Sequence, residues 1–331
     1  TREKAFGTLS AGVVGQRTVT TATQIGAGAT TAVGAGGLLA GFGLGHLTAM
    51  LIYARHALKT LTLRGPINLR EPARRYRRFA QFSSPAALVS ALATRLPALV
   101  LLGVFGSEFL GWFGQAFNLL FVPLSLVGTA VGQVFFVEAA EARRRGSLHD
   151  ETASIHALLA SCAVVPLAGI CAAAPEVFGF VFGAEWRTAG EYAIYLAPWI
   201  ALSAIGSPLT RVFDVLEQQR RDLAVNLVMF SMVGGALIYI SLYSGPLEGV
   251  LILGVAGAVS RAWQIAMALR SAGLSLVQSV RPYLRPAVEG ALLFALMTFV
   301  RTTFSPGVTT LILALALIAW LPLLYRRTAA P

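Results

Sequence analysis

An arginine inside an otherwise apolar stretch is the most informative polar side chain of the sequence. Arg95 lies near the middle of the apolar run 82–105. A guanidinium at the centre of a membrane helix costs about 2.5 to 3.5 kcal/mol, so such residues usually face an aqueous interior and mark a substrate path. No acid lies at comparable depth, because Glu191, Asp214 and Glu289 are all close to the ends of apolar runs. The pattern predicts that Arg95 contacts an anionic substrate group, with pairing to helix carbonyls or to an acid of another helix as the alternative.

Polar side chains also form stripes along three other apolar runs. They are Gln16, Arg17, Thr20, Thr21, Gln24, Gly28 and Thr31 in the first, Asn118, Ser125, Thr129 and Gln133 in the fourth, and Ser203, Ser207, Thr210, Arg211 and Asp214 in the sixth. Spacings of three and four place such groups on one helix face. Together the stripes predict a hydrated cavity, although hydrogen bonding between helices is the alternative for any single residue. Arg17 either contacts the same anionic group or extends to the membrane surface.

The remaining polar groups indicate structure rather than catalysis. Arg211 and Asp214 are three residues apart on one helix face and are expected to form an ion pair. The sequence has no Ser/His/Asp arrangement, no His/Cys cluster with metal spacing and no outward carboxylate pair for acid–base work. We therefore predict that the protein is not an enzyme and uses no metal or cofactor.

Membrane-spanning helices must hold these side chains in place. Hydrophobic residues make up 56% of the chain and charged residues 12%, and a helix needs roughly 20 apolar residues to cross a bilayer. The sequence predicts an all-α protein with about ten spans, at 8–33, 36–58, 82–105, 113–137, 151–173, 188–216, 221–243, 247–270, 287–304 and 307–325. Gly37, Gly41 and Gly45 in the second span predict close packing against a neighbouring helix.

Nearly all basic residues fall in alternate gaps between these runs, with Arg187 and Arg301 on or near the opposite side. The longest basic gap, 59–81, is predicted to be a linker. Because cytoplasmic loops are enriched in Lys and Arg, both ends of the chain are predicted to be cytoplasmic. The net charge of +11 is explained by this asymmetry and by attraction to anionic membrane lipids, so no nucleic-acid partner is expected.

Three segments resemble one family of transporters. They are Phe182-Gly183-Ala184-Glu185-Trp186-Arg187-Thr188-Ala189-Gly190-Glu191-Tyr192 with Leu196-Ala197-Pro198 and 207–213, the run 121–136, and the entry to a new span at 74–82. Their order and spacing resemble the polysaccharide exporter, or lipid-linked oligosaccharide flippase, family of the multidrug/oligosaccharidyl-lipid/polysaccharide superfamily. The match covers most of residues 60–225.

The resemblance implies a 14-helix fold of two six-helix lobes around a central cavity, followed by two additional helices. Residues 1–58 would be the last two helices of an incomplete N-terminal lobe, 59–81 the basic cytoplasmic linker, 82–275 the C-terminal lobe, and 286–331 the additional pair with a cytoplasmic tail. About four helices would then precede residue 1. The expected location is the bacterial cytoplasmic membrane.

The implied function is the translocation of a polyprenyl-pyrophosphate-linked oligosaccharide by alternating access. The oligosaccharide would be an O-antigen, capsule or exopolysaccharide repeat unit. Arg95 and Arg17 would hold the pyrophosphate, while Gln24, Asn118, Thr129 and Gln133 would bind sugar; these roles come from depth and helix face. A polysaccharide polymerase or assembly protein is a possible partner. The alternatives are a cation-coupled multidrug exporter, for which this portion of the chain lacks cavity carboxylates, and a membrane polymerase or scaffold.

Overall fold

The computed structural model describes residues 6–28, 34–60 and 79–328, and every regular element in these ranges is helical. The predicted all-α fold is therefore confirmed. The chain divides into two compact units, 1–72 and 73–331. Most of the predicted linker 59–81, with its arginines, lies outside the described residues, as do the basic residues before residue 6.

The first unit is a pair of packed helices, α1 (Phe6–Gly28) and α2 (Gly34–Thr60). The glycines of α2 let the two backbones approach closely. A Cβ atom added at Gly41 would lie 2.7 Å from Gln24 Cγ and 3.1 Å from the carbonyl oxygen of Thr20. A Cβ at Gly45 would lie 2.8 Å from the carbonyl oxygen of Gln16. The packing role predicted for these two glycines is confirmed.

The second unit contains the other eight α-helices of the described ranges. They are α3 (Ser84–Arg145), α4 (Leu148–Phe182), α5 (Arg187–Leu209), α6 (Arg211–Val215), α7 (Gln219–Tyr243), α8 (Pro246–Ser271), α9 (Leu276–Thr303) and α10 (Pro306–Thr328). A π-helical turn, Phe79–Ser83, precedes α3, and a 3₁₀ turn, Ala184–Trp186, precedes α5.

Helix α5 is the centre of this unit, since it packs against α3, α4 and α8. Its Leu196, Ile200 and Ile205 are almost completely buried. Because these large apolar side chains must be buried, they fix the rotation of α5 about its own axis. The rotation of α5 in turn determines where its polar residues, from Ser203 to Thr210, are presented.

The long helix α3 is interrupted at Gly106, which has φ 86° and ψ −177°. This interruption separates two helical segments, 84–105 and 107–145, which contain the third and fourth predicted spans. Residues 106–112, which separate these two predicted spans, are helical except at Gly106. A positive φ combined with ψ near 180° is a backbone conformation essentially restricted to glycine.

We expect Gly106→Ala to lower the stability of the protein by about 1–3 kcal/mol, the usual cost of such backbone strain. Crowding would not contribute, because a Cβ at Gly106 meets no atom within 4 Å. Thermal unfolding in detergent measures the loss. Gly111→Ala is the matched control, since its Cβ also has open space while its backbone is helical and favours Ala. Equal destabilisation by both variants would contradict the explanation.

Helix α9 begins earlier than predicted. Span 287–304 was expected, but the helix starts at Leu276, where Ser275 Oγ accepts a hydrogen bond from Gln278 N and Gln278 Oε1 accepts one from Ser275 N. This reciprocal cap favours a helix start at that point. Helix α9 packs along α4, and at its far end Arg301 Nη1 donates to the carbonyl oxygen of Ala172 at 3.0 Å. Helix α9 therefore belongs to the same compact unit as α3 to α8.

Length and composition make this a multi-pass membrane protein. Seven described helical stretches are long and apolar enough to cross a bilayer, and one of them, Gln81–Arg145, contains the Gly106 interruption. Large apolar side chains such as Leu99 and Leu126 are exposed on the outside of the unit. Helix α1 is not among the seven, and α10 contributes only the shorter apolar stretch Pro306–Pro322. The number of ten spans stays a prediction.

Candidate functional site

Arg95 lies on the wall of a cavity of about 310 Å³ within the second unit. The cavity is formed mainly by the two halves of α3, on either side of Gly106. Its polar lining is Thr94, Arg95, Asn118 and Ser125. The Thr94 hydroxyl is occupied, because it donates to the carbonyl oxygen of Ser90 at 3.0 Å. We call this space the Arg95 cavity.

The guanidinium of Arg95 is exposed to this cavity and makes no ion pair with any carboxylate of the described residues. A cationic group among apolar walls attracts anions strongly, because the surroundings screen charge poorly. Asn118 is also exposed and lines the same cavity. The structure thus brings together two of the residues that the sequence singled out.

One wall of the Arg95 cavity is aromatic. Phe113, Phe117 and Phe121 stack along α3 with ring centroids 6.1 and 5.2 Å apart. Trp199 of α5 meets Phe117 edge-on at 5.4 Å. All four rings line the cavity. This wall is not among the predicted site residues, although phenylalanines recur every four residues from Phe105 to Phe121.

The other two predicted residues of α3 lie beyond the cavity. Thr129 is exposed and its hydroxyl donates to the carbonyl oxygen of Ser125 at 2.7 Å. Gln133 is also exposed and continues the same helix face. Neither lines the Arg95 cavity. Their predicted contact with sugar stays a prediction.

Arg17 and Gln24 belong to the first unit. The Gln24 side chain is held by α2, since its Nε2 donates to the carbonyl oxygen of Leu38 at 3.2 Å. Arg17 is exposed on α1. Within the described residues it makes no ion pair, so its guanidinium remains available to a ligand. The role predicted for these residues stays a prediction.

A second cavity, of about 450 Å³, lies nearer the beginning of α3. Its polar lining comes from five helices, α3, α5, α6, α7 and α8, and the residues next to them, and consists of Ser83, Ser90, Ser203, Ser207, Thr210, Arg211, Asp214, Asp222, Asn226, Arg261 and Gln264. Phe121 lines this cavity as well as the Arg95 cavity, so the two are neighbours. We call the second space the Asp222 cavity. The polar stripe predicted for the sixth span lines it.

Most charged groups of the Asp222 cavity have partners nearby. Arg211 Nη1 lies 3.4 Å from Asp214 Oδ2, which confirms the predicted ion pair. Asn226 Nδ2 donates to Asp222 Oδ1 at 2.9 Å, and Arg261 Nη1 donates to Gln264 Oε1 at 2.8 Å. The expectation that this portion of the chain lacks cavity carboxylates is wrong. Asp222 was not predicted to line a cavity because it lies in the first turn of α7. At the end of an apolar run, the sequence does not show whether a polar residue is buried.

Both cavities fall within or near the usual range of ligand sites, about 300–1,000 Å³. Their electrostatics differ. The Arg95 cavity has one cation and no acid in its lining, whereas two arginines and two aspartates line the Asp222 cavity. An anionic group is therefore favoured in the first, and a neutral polar group in the second. Among the described residues, no three His, Cys, Asp or Glu side chains are arranged to hold a metal ion.

Comparison with known proteins gives two matches. The family model described as "Polysaccharide biosynthesis protein" matches residues 17–191, more than half of the chain. A solved structure of the lipid II flippase MurJ, in an inward closed conformation, has the same fold, with a TM-score of 0.68 at 14% sequence identity. The similarity covers 95% of this chain and 68% of that one. No curated protein matches the sequence significantly.

Proposed function

The chain belongs to the polysaccharide biosynthesis protein family, and from this premise we propose that it translocates a polyprenyl-pyrophosphate-linked oligosaccharide across a membrane. The oligosaccharide would be an O-antigen, capsule or exopolysaccharide repeat unit, and the membrane the bacterial cytoplasmic membrane, with both ends of the chain on the cytoplasmic side. The fold supports a transport function, since it is shared with a protein named as a flippase of lipid II.

The Arg95 cavity is the observation that carries this proposal. A pyrophosphate is a dianion that must leave water when its lipid crosses the membrane, and leaving an unpaired charge in an apolar medium is very unfavourable. Arg95 offers it a guanidinium, whose planar donors fit phosphate oxygens in pairs. Arg17 would add a second cation. Asn118, which lines the same cavity, would donate hydrogen bonds to sugar, as would Gln24 and Gln133, and Thr129, whose hydroxyl donates to Ser125, would accept one.

Transport would follow from alternating access. The two lobes of the fold would rock about its central cavity. The pyrophosphate and the sugar would pass from one leaflet to the other while the lipid tail remains in the membrane. No bond of the substrate is made or broken, so the protein would act as a transporter and not as an enzyme. A polysaccharide polymerase or another assembly protein would use the product on the outer side.

The sidedness of the intermediate tests this function. We expect deletion of the full-length gene to abolish the surface polysaccharide and to leave the lipid-linked repeat unit on the cytoplasmic leaflet of membrane vesicles. Complementation should restore both. An intermediate that accumulates on the outer leaflet, unpolymerised, would contradict translocation and support the polymerase alternative.

A cation-coupled multidrug exporter is the second candidate, because Asp214 and Asp222 line a cavity and carboxylates attract cationic drugs. Both carboxylates share that cavity with an arginine, which weakens the attraction. The same deletion strain separates the two candidates. An exporter predicts increased sensitivity to cationic dyes with normal surface polysaccharide.

A further inference from the structure

The Asp222 cavity contains two buried polar atoms that lack a hydrogen-bond partner among the described residues. They are Oδ1 of Asn226 and Nε of Arg261. Asn226 is only 4% exposed, and both residues line the cavity. A buried polar group without a partner costs about 1–3 kcal/mol. Both atoms are enclosed by protein, with less than 1 Å² of accessible surface each, so a ligand in the cavity supplies their missing partners once the two side chains turn toward it.

The orientation of Asn226 is fixed by its neighbour. Its Nδ2 donates both to the side chain of Asp222 and to the Asp222 carbonyl oxygen, each at 2.9 Å. A carboxylate only accepts hydrogen bonds, so the amide nitrogen must face Asp222 and the amide oxygen must face away. Asn226 Oδ1 consequently needs a donor, and Arg261 Nε needs an acceptor.

The charges of the Asp222 cavity select the class of ligand. Its arginines, Arg211 and Arg261, balance its aspartates, Asp214 and Asp222. A cation would meet the Arg261 guanidinium, and an anion would find a better site at Arg95, where no acid lines the cavity. The cavity favours a neutral ligand whose groups both donate and accept. A hydroxyl group does both, and sugars carry several hydroxyls close together.

We propose that the Asp222 cavity is a glycan subsite, in which Asn226 and Arg261 bind the hydroxyls of the oligosaccharide while Arg95 binds its pyrophosphate. This inference rests on the proposed function and adds a location for the sugar. Phe121 lines both cavities, so a pyrophosphate at Arg95 would lie next to the subsite. Residues of α7 and α8 would then determine which glycan binds, whereas Arg95 would bind the pyrophosphate that all such lipids share.

Binding to two lipids tests the subsite. The full-length protein in nanodiscs is titrated with the polyprenyl-pyrophosphate-linked oligosaccharide and with polyprenyl pyrophosphate that carries no sugar. We expect Asn226→Leu and Arg261→Lys each to weaken binding of the glycan-bearing lipid by about tenfold, the effect of one lost hydrogen bond to a buried partner. Binding of the sugar-free lipid should not change.

A matched control distinguishes loss of glycan binding from a general effect of a leucine substitution in α7. Ser231 is an exposed residue of the same helix and lies outside both cavities, so Ser231→Leu should leave both affinities unchanged. Equal weakening of both lipids by Asn226→Leu, or no weakening of either, would overturn the inference while the proposed function stands. Unchanged glycan affinity with an altered sodium or pH dependence of transport would assign the cavity to a cation instead. If the wild-type protein binds neither lipid, the proposed function itself fails.

Discussion

Replacing Arg95 with alanine should reduce translocation of the lipid-linked oligosaccharide by about 100-fold, because the pyrophosphate loses its counter-charge in an apolar cavity. Hydrogen bonds to charged groups contribute about 1.5–3 kcal/mol, so losing the paired donors of Arg95 corresponds to about two orders of magnitude in affinity. Arg95→Lys should retain part of the activity, since it keeps the charge but loses the paired donors of the guanidinium. Transport by vesicles with equal amounts of the full-length variants measures both effects.

Arg144→Gln is the control for the loss of a positive charge. Arg144 is exposed in the last turn of α3 and lines neither cavity, so transport by this variant should equal that of the wild type. A general effect of net charge would lower transport by Arg144→Gln and Arg95→Ala alike. Wild-type transport by both Arg95→Ala and Arg95→Lys would show that Arg95 does not bind the substrate.

The location of Arg95 in a cavity could be expected from sequence, because a charge within an apolar run has few tolerable environments. The aromatic wall could not be assigned in the same way. A phenylalanine every four residues fits lipid contact, helix packing and a cavity equally well. Only the burial of α5 against α3 decides that Phe117 meets Trp199 at 5.4 Å.

The Asp222 cavity was less accessible to sequence reasoning, because its lining comes from α3, α5, α6, α7 and α8. Residues from Ser90 to Gln264 are brought together by long-range packing, and helical periodicity carries no information about which helices become neighbours. The ion pair of Arg211 and Asp214 could be predicted since both residues lie within one helical turn. The hydrogen bond between Asn226 and Asp222 also joins residues one helical turn apart. It was not predicted, because both residues lie near the start of α7.

Apolar runs located the centres of the helices better than their ends. A run ends where polar residues begin, whereas a helix continues as long as its backbone hydrogen bonds and packing are satisfied. Helix α4 thus continues to Phe182, nine residues past the predicted end at 173. The interruption of α3 at Gly106 is the opposite case, where one backbone conformation stops a helix within an apolar sequence.

Introducing a side chain at Gly190 should have a large effect on stability, because this residue of α5 packs directly against the backbone of α4. A Cβ added there would lie 2.5 Å from Pro175 Cα and 2.6 Å from the carbonyl oxygen of Ala174. Both are backbone atoms of α4, so neither can move without shifting the helix. We expect Gly190→Ala to destabilise the protein by about 1–3 kcal/mol, as overpacking does, and Gly190→Leu to prevent recovery of folded protein.

Gly179→Ala provides the matched control, since it adds the same methyl group at a similar distance but against a different kind of atom. Its Cβ would lie 2.9 Å from Arg187 Cγ, which belongs to a long and exposed side chain that can rotate away. Thermal unfolding in detergent should therefore show a small loss for Gly179→Ala and a large one for Gly190→Ala. If the two losses are equal, the rigidity of the α4 backbone does not control the packing of α5, and the position of Ser203, Ser207 and Thr210 in the Asp222 cavity must depend on α3 and α8 instead.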